Sequence, residues 1–342
     1  MPYNQHYNNK IILVTGGAGA IGRNLVESLT QLNAKKIIIL DNLSSSYEWN
    51  IPNRQNVIFI KGDIRNDDDL RRAFHHRPAI VFHLAAFFAN QNSVDYPLIC
   101  EDVNSRGMLK LLEYCVISGN IERFVYTNSE GGAYGSDCGL PYQEHEISLN
   151  LGSPYYISKM AGESYSWYFH TYHNLPVSVV RLFNSFGPGE VPGPYRNVIP
   201  NFIYWALKKQ PLPLTGNKEI SRDFVYINDT IEGILRAGFM PEAIGKPLNI
   251  ATGKEIFIYD LAEMINRKTA NPSGTILLKK RKWDAREKII GDPQNSMNII
   301  KFRPTSDMET SIGLTIRWFQ ENWTNIEQSV HFSPGLNPAL DV

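Results

Sequence analysis

Cysteine is scarce: Cys100, Cys115 and Cys138 are the only three in 342 residues. They form no even disulfide set and show no metal-ligand spacing. No metal site is therefore expected, a disulfide scaffold is excluded, and a reducing, cytoplasmic setting is anticipated. Net charge is also lacking, because 34 basic residues match 34 acidic ones. No global field favours nucleic acid or an anionic membrane, so any phosphate must be held by local groups. No apolar run reaches the roughly 18 residues that cross a bilayer. The stretch from Ile11 to Gly22 carries four glycines behind a single cation, Lys10, which argues against a signal-peptide core. Internal repeats and low-complexity tracts are missing as well.

What remains is an ordinary globular balance, 43% hydrophobic and 20% charged, in a chain long enough for two lobes around a cleft. The first half alternates short apolar runs with helical patterns. Strands are expected at Ile11–Val14, Ile37–Leu40, Val57–Ile60, Ala79–Leu84, Phe124–Thr127 and Val177–Leu182. Helices are expected near Gly19–Leu32, Asp67–Phe74 and Val103–Ser118, and around Tyr155. Continuous rather than alternating apolar runs indicate strands buried on both faces, and strand–helix alternation indicates a doubly wound parallel sheet. Beyond Phe183 the loop signals Gly187-Pro-Gly and Val191-Pro-Gly-Pro194 appear, with helical stretches at Ile199–Lys209 and Tyr259–Lys268. Runs near Arg222–Ile227 and Pro247–Ile250 suggest that the chain returns to the first lobe. The expected division is 1–183 with 222–250 as a nucleotide-binding lobe, 184–221 with 251–330 as a substrate lobe, and 331–342 as a tail. Loose order is anticipated after Thr324.

Thr15-Gly-Gly-Ala-Gly-Ala-Ile-Gly22 follows the first strand and opens a helix. The spacing of Gly16, Gly19 and Gly22 lets the backbone, with Ala20 and Ile21, approach a pyrophosphate on the helix N-terminus. Asp41 ends the second strand, where a carboxylate accepts from both hydroxyls of an adenosine ribose and repels a 2′-phosphate, favouring NAD over NADP. It serves equally as a cap for the turn that follows. Asp63, after the third strand, meets the adenine edge or caps the next helix. Tyr155 and Lys159 stand four residues apart on one helix face, where an ammonium favours the phenolate and makes it a base. Tyr156, three residues from Lys159, faces it too.

These segments resemble the extended short-chain dehydrogenase/reductase family in its nucleotide-sugar epimerase/dehydratase branch, over about residues 10–320. The matches are Thr15–Gly22, Asp41-Asn-Leu-Ser-Ser45, Gly62-Asp-Ile64, His83-Leu-Ala-Ala86, Ser153-Pro-Tyr-Tyr-Ile-Ser-Lys159, Arg181-Leu-Phe-Asn-Ser-Phe-Gly-Pro188 and Ser221-Arg-Asp-Phe-Val-Tyr226. The resemblance implies a Rossmann-type α/β fold with a smaller, mostly helical C-terminal substrate lobe. It implies NAD held also by Asn42, Ile64, Leu84, Ala85 and Ala86, and by Tyr155 and Lys159. It selects Tyr155 as the base, with a hydroxyl after the fifth strand holding the reacting oxygen.

For that hydroxyl, counting from the strand gives Ser129 and counting back from Tyr134-Gly135 gives Glu130; the strand count is preferred. Relatives that eliminate water place an acidic pair after the hydroxyl, whereas here Glu130 stands alone and Gly131 follows. A UDP-sugar 4-epimerase is therefore the favoured expectation, and a dehydratase using Glu130 the alternative. A non-catalytic NAD-binding regulatory protein is a remote third. Gly131-Gly132 suggests spare room beside the sugar, and Phe87–Ser93 an unusual wall near it. Asn184, Asn197, Val198, Arg222 and Arg286 are implied to hold the nucleotide sugar, with Asp292 on its ribose. Leu214 and Phe202 are candidates for the base pocket or for core. The resemblance also implies a homodimer through Val103–Ser118 and Tyr155–Tyr172.

Overall fold

The structure, a computed structural model, describes residues 4–88, 90–279 and 286–330. After α1 (Asn4–Tyr7), the chain winds through β1 (Ile11–Thr15), α2 (Ala20–Gln31), β2 (Lys36–Asp41), β3 (Val57–Lys61), α3 (Asp67–Phe74) and β4 (Ile80–His83). It continues through α4 (Asn90–Asp95), α5 (Pro97–Glu101), a π-helical turn, α6 (Met108–Ser118), β5 (Arg123–Ser129), α7 (Pro154–His173) and β6 (Val177–Leu182). With β7 (Asn184–Phe186), α8 (Val198–Leu207), β8 (Leu212–Thr215), β9 (Ser221–Arg222), β10 (Phe224–Tyr226), α9 (Ile227–Phe239) and β11 (Pro247–Ile250) the chain leaves and re-enters the main sheet. It ends in β12 (Ile256–Phe257), α10 (Ile258–Thr269), β13 (Thr275–Leu278), β14 (Lys288–Ile289), α11 (Gln294–Ile299), α12 (Met308–Glu321) and α13 (Trp323–Ser329).

Seven strands form one parallel sheet in the order β11-β6-β5-β4-β1-β2-β3. Period-two alternation sends Ile12 and Val14 to one face and Leu13 to the other. The first face packs on α2 (Leu25, Val26, Leu29) and α9 (Ile231, Ile234, Leu235). The second packs on α3 (Leu70, Ala73), α6 (Leu111, Leu112, Cys115) and Phe169 of α7. Both faces are covered, which is why the strands read as unbroken apolar runs. The order reverses at β1, between β2 and β4, and opens a crevice at the strands' carboxyl ends.

Two expectations are corrected. Residues 221–226 do not join the large sheet: β9 pairs with β12 and β14, and β10 with β7. Arg222 is thereby carried over the crevice. The chain after Thr324 continues as α13, because Ile326 is buried and Ser329 ties back to Tyr47 and Trp49 at 2.9 Å each. The tail at 331–342 lies outside the described residues. Among the described residues no helix is long and apolar enough to cross a membrane, and no cluster of metal-ligating side chains occurs.

Candidate active site

The expected cofactor, catalytic and substrate positions line one cavity of about 550 Å³ at the carboxyl ends of the strands, with Val198, Asp292 and the base-pocket candidates Leu214 and Phe202 outside it. At its floor, Gly16 has φ +71°, and a Cβ there would stand 2.6 Å from Ala85 N. A Cβ on Gly22 would stand 2.2 Å from the Gly16 carbonyl oxygen. Only glycine permits this crossing, which leaves bare backbone facing the cavity at the start of α2.

Asp41 both lines the cavity and braces the turn. Its Oδ2 accepts from Ala18 N–H at 3.0 Å, and its Oδ1 accepts from Leu43 N–H at 2.9 Å and Ser46 Oγ at 2.8 Å. Asp63 does not cap the next helix; Asn66 does, accepting from Asp68 and Asp69 N–H. Burial pushes the Asp63 carboxyl up, but Arg65 at 2.8 Å and Asn42 at 2.8 Å outweigh that and hold it at about 2.

Ser153 caps α7, which presents Tyr155 and Lys159 from one face, 8% and 4% exposed. Burial raises the Tyr155 phenol well above its ordinary range, and Glu130 adds to the rise. Lys159 does not bond the phenol: its Nζ donates to Thr127 O at 2.6 Å and lies 4.5 Å from the Tyr126 ring centre. Burial lowers its pKa to about 7. An ammonium kept from water in this way costs native stability wherever the unfolded chain holds it charged. Between about pH 7 and 10.5 the unfolded state binds the extra proton, so stability rises with pH. Lys159→Met is therefore expected to raise the melting temperature at pH 7 and flatten that pH dependence. Calorimetry from pH 7 to 10 checks this, and a less stable variant would count against it.

Ser129 is the last residue of β5, and its buried Oγ completes no hydrogen bond among the described residues. The backbone then turns through Glu130–Gly132, directing the Glu130 carboxylate to Arg286 at 3.2 Å. The spare room expected at Gly131-Gly132 is absent. A Cβ at Gly131 would fall 2.0 Å from the Tyr156 ring, and one at Gly132 2.2 Å from Asn128 Oδ1. The glycines seat Tyr156 and Asn128.

Arg286 is no surface cation: its side chain is 10% exposed, its Nη1 donates to Tyr134 O at 3.1 Å, and its guanidinium lies 5.0 Å from the Tyr156 ring centre. Arg222 donates to Ser221 O and Glu287 O at 2.7 and 2.9 Å. Asn184 Nδ2 is buried at the cavity wall without a partner among the described residues. Asn197 opens α8 and donates to Glu190 Oε1 at 3.0 Å, where burial pushes the Glu190 carboxyl up to about 7. Leu214 and Phe202 are core and do not line the cavity. Asp292 turns its carboxylate to Gln294 N–H at 2.9 Å, also away from the lining.

Sequence reasoning missed Glu190, Tyr195 and Arg196, which line the cavity from a loop read only as turns. Arg196 reaches Ser45 O and Tyr195 reaches Asp95 at 3.0 Å, so the loop bridges the cavity's two sides. Phe88 packs edge-on to Tyr155, with ring centres 6.0 Å apart. Orphaned Ser129 Oγ and Asn184 Nδ2, two arginines and a glycine cradle that any Cβ would fill together suit a dinucleotide beside a phosphorylated, hydroxyl-rich ligand.

The model of the NAD-dependent epimerase/dehydratase family matches residues 12–251. A putative UDP-glucose 4-epimerase of Methanocaldococcus jannaschii is 31% identical, over 91% of this chain and 99% of its own length. Among solved structures, an epimerase of Methanothermobacter thermautotrophicus superposes with a TM-score of 0.95 at 46% identity, covering 97% and 98% of the two chains. A UDP-N-acetylglucosamine 4-epimerase of Methanobrevibacter ruminantium, solved with UDP-N-acetylmuramic acid, gives 0.85 at 32% identity, covering 92% and 99%.

Proposed function

Because the chain belongs to the NAD-dependent epimerase/dehydratase family, we propose that it is a 4-epimerase of UDP-sugars. NAD, when bound, would supply hydride-transfer chemistry. The residues that would hold it are the Gly16–Gly22 backbone, Asp41, Asn42, Asp63, Ile64 and Leu84–Ala86, with Tyr155 and Lys159 at the reactive end. Tyr155, once ionised, takes the proton from the sugar C4 hydroxyl, and Ser129 Oγ binds that oxygen. Lys159 contributes positive charge near the base. Asn184, Asn197, Arg222 and Arg286 hold the nucleotide sugar, a planar guanidinium suiting two phosphate oxygens at once.

The observation that carries epimerisation over elimination is the pairing of Glu130 with Arg286, with the Tyr156 ring over Gly131. The one acid after Ser129 is tied to a cation, and no second acid follows. Epimerisation needs no acid/base beyond Tyr155, because the ketone accepts hydride on its other face. Incubating the protein with UDP-glucose, UDP-glucuronate and their N-acetyl forms, with product NMR, tests the proposal. A 4-epimer from at least one is expected, and none from any would sink it. The dehydratase reading retains one support, the position of Glu130 beside Tyr155. It requires that Glu130→Gln abolish loss of water while sparing NAD reduction.

A homodimer through α6 and α7 accompanies this reading. On α7, Ile157, Tyr168 and Tyr172 are exposed, 55%, 50% and 71%, more apolar surface than one solvent-facing stripe needs. Light scattering at the mass of two chains is the expected result.

A further inference from the structure

We propose that Tyr156 determines sugar specificity: its phenol O–H, turned into the cavity by Asn90, donates to a carbonyl or carboxylate oxygen carried by the sugar. The inference rests on the nucleotide-sugar reading above. It follows from where each proton must go. Ser153 Oγ, capping α7, accepts from Tyr156 N–H at 3.3 Å. Its own proton is placed on Asn90 Oδ1 at 2.9 Å. The Asn90 amide is thereby oriented, and its Nδ2 donates to Tyr156 Oη at 2.8 Å. A phenol has one proton. Having accepted from Asn90, Tyr156 retains that proton, and no acceptor among the described residues takes it.

The ring has no freedom to turn the hydroxyl elsewhere. Gly131 backs it too closely for any Cβ, and Arg286 lies over it at 5.0 Å. Tyr156 lines the cavity beside Tyr155, with ring centres 5.7 Å apart, so its donor stands next to the base and one residue off the reacting position. A donor left without an acceptor favours a ligand atom that only accepts over a sugar hydroxyl, which brings a proton of its own to place. An acetamido carbonyl and a uronate carboxylate share that chemistry.

Binding of UDP-glucose, UDP-N-acetylglucosamine and UDP-glucuronate to the NAD-loaded protein, measured by calorimetry, separates the sources. Tyr156→Phe is expected to weaken one acceptor-bearing ligand at least tenfold more than UDP-glucose. The differential loss is about 10-fold for a carbonyl and about 100-fold for a carboxylate. Asn90→Asp offers only acceptors, draws the Tyr156 proton to itself, and is expected to reproduce that selective loss. Loss confined to the N-acetyl sugar assigns the carbonyl, and loss confined to the uronate assigns the carboxylate. Equal loss for all three ligands, or none, overturns the proposal, as does Asn90→Asp without selectivity. Retained NAD affinity shows that each variant is folded. The readout is binding, so absence of any 4-epimer from the unaltered protein would defeat the proposed function without deciding this one.

Discussion

Tyr155→Phe is expected to lower kcat by roughly 10²–10⁴-fold, the contribution of a positioned general base, while NAD affinity changes little. The substitution removes one oxygen and keeps the ring, so the edge-on contact with Phe88 and the burial within α7 persist. The groups expected to hold NAD at its pyrophosphate and adenosine ribose, the Gly16–Gly22 cradle and Asp41, stand on other elements. Single-turnover reduction of NAD, followed by absorbance, reads the chemical step directly. Residual turnover within tenfold of the parent protein would transfer the base to another group. The contrast with Tyr156→Phe is built in: loss at Tyr155 falls on kcat for every sugar, and loss at Tyr156 on affinity for one class.

The same phenol shows what a linear reading can and cannot reach. Four-residue spacing places Tyr155 and Lys159 on one helix face without knowledge of anything else. Likewise β6, at Val177–Leu182, and α3, at Asp67–Phe74, are legible because apolar runs and helical periodicity are local properties. The Gly16–Gly22 loop is legible because the glycines that cross one another are themselves neighbours in sequence. Gly131 is different. Its meaning lies in a ring 25 positions away that only the packing of α7 against the turn after β5 brings to it. Glu130 and Arg286 are 156 residues apart, and no spacing rule links them. The acceptor of the Lys159 ammonium, a carbonyl on β5, lies beyond helix spacing for the same reason. Local rules find which residues face the crevice, and long-range packing decides what each one touches there.

Arg181→Met is expected to cost about 3–5 kcal/mol, the penalty for stranding one member of a buried ion pair. Arg181 on β6 and Glu163 on α7 are 1% and 3% exposed and meet at 2.7 and 3.2 Å through two guanidinium nitrogens. The remaining donors reach Tyr134 Oη and Glu144 O at 3.0 Å each. Burial works against the Arg181 charge, but the Glu163 carboxylate beside it more than offsets this, and its pKa lies above the ordinary value. With an unfolding entropy of ~2.1 cal/mol/K per residue, 342 residues give ~0.7 kcal/mol/K. The loss then appears as a fall of roughly 4–7 °C in melting temperature. Adding Glu163→Leu removes the stranded carboxylate and is expected to recover most of that fall, because apolar replacements of buried pairs are commonly near neutral. Turnover is expected to fall in this double variant all the same. Asn128 donates to Glu163 Oε2 at 2.6 Å and through its own Oδ1 accepts Ser129 N–H at 2.8 Å. Glu163 thus aims the backbone that carries the Ser129 hydroxyl, and a leucine holds no acceptor for Asn128. Calorimetry and kcat on the single and double variants separate the two roles. A double variant that regains stability and keeps the parent turnover would show that the buried pair serves packing alone.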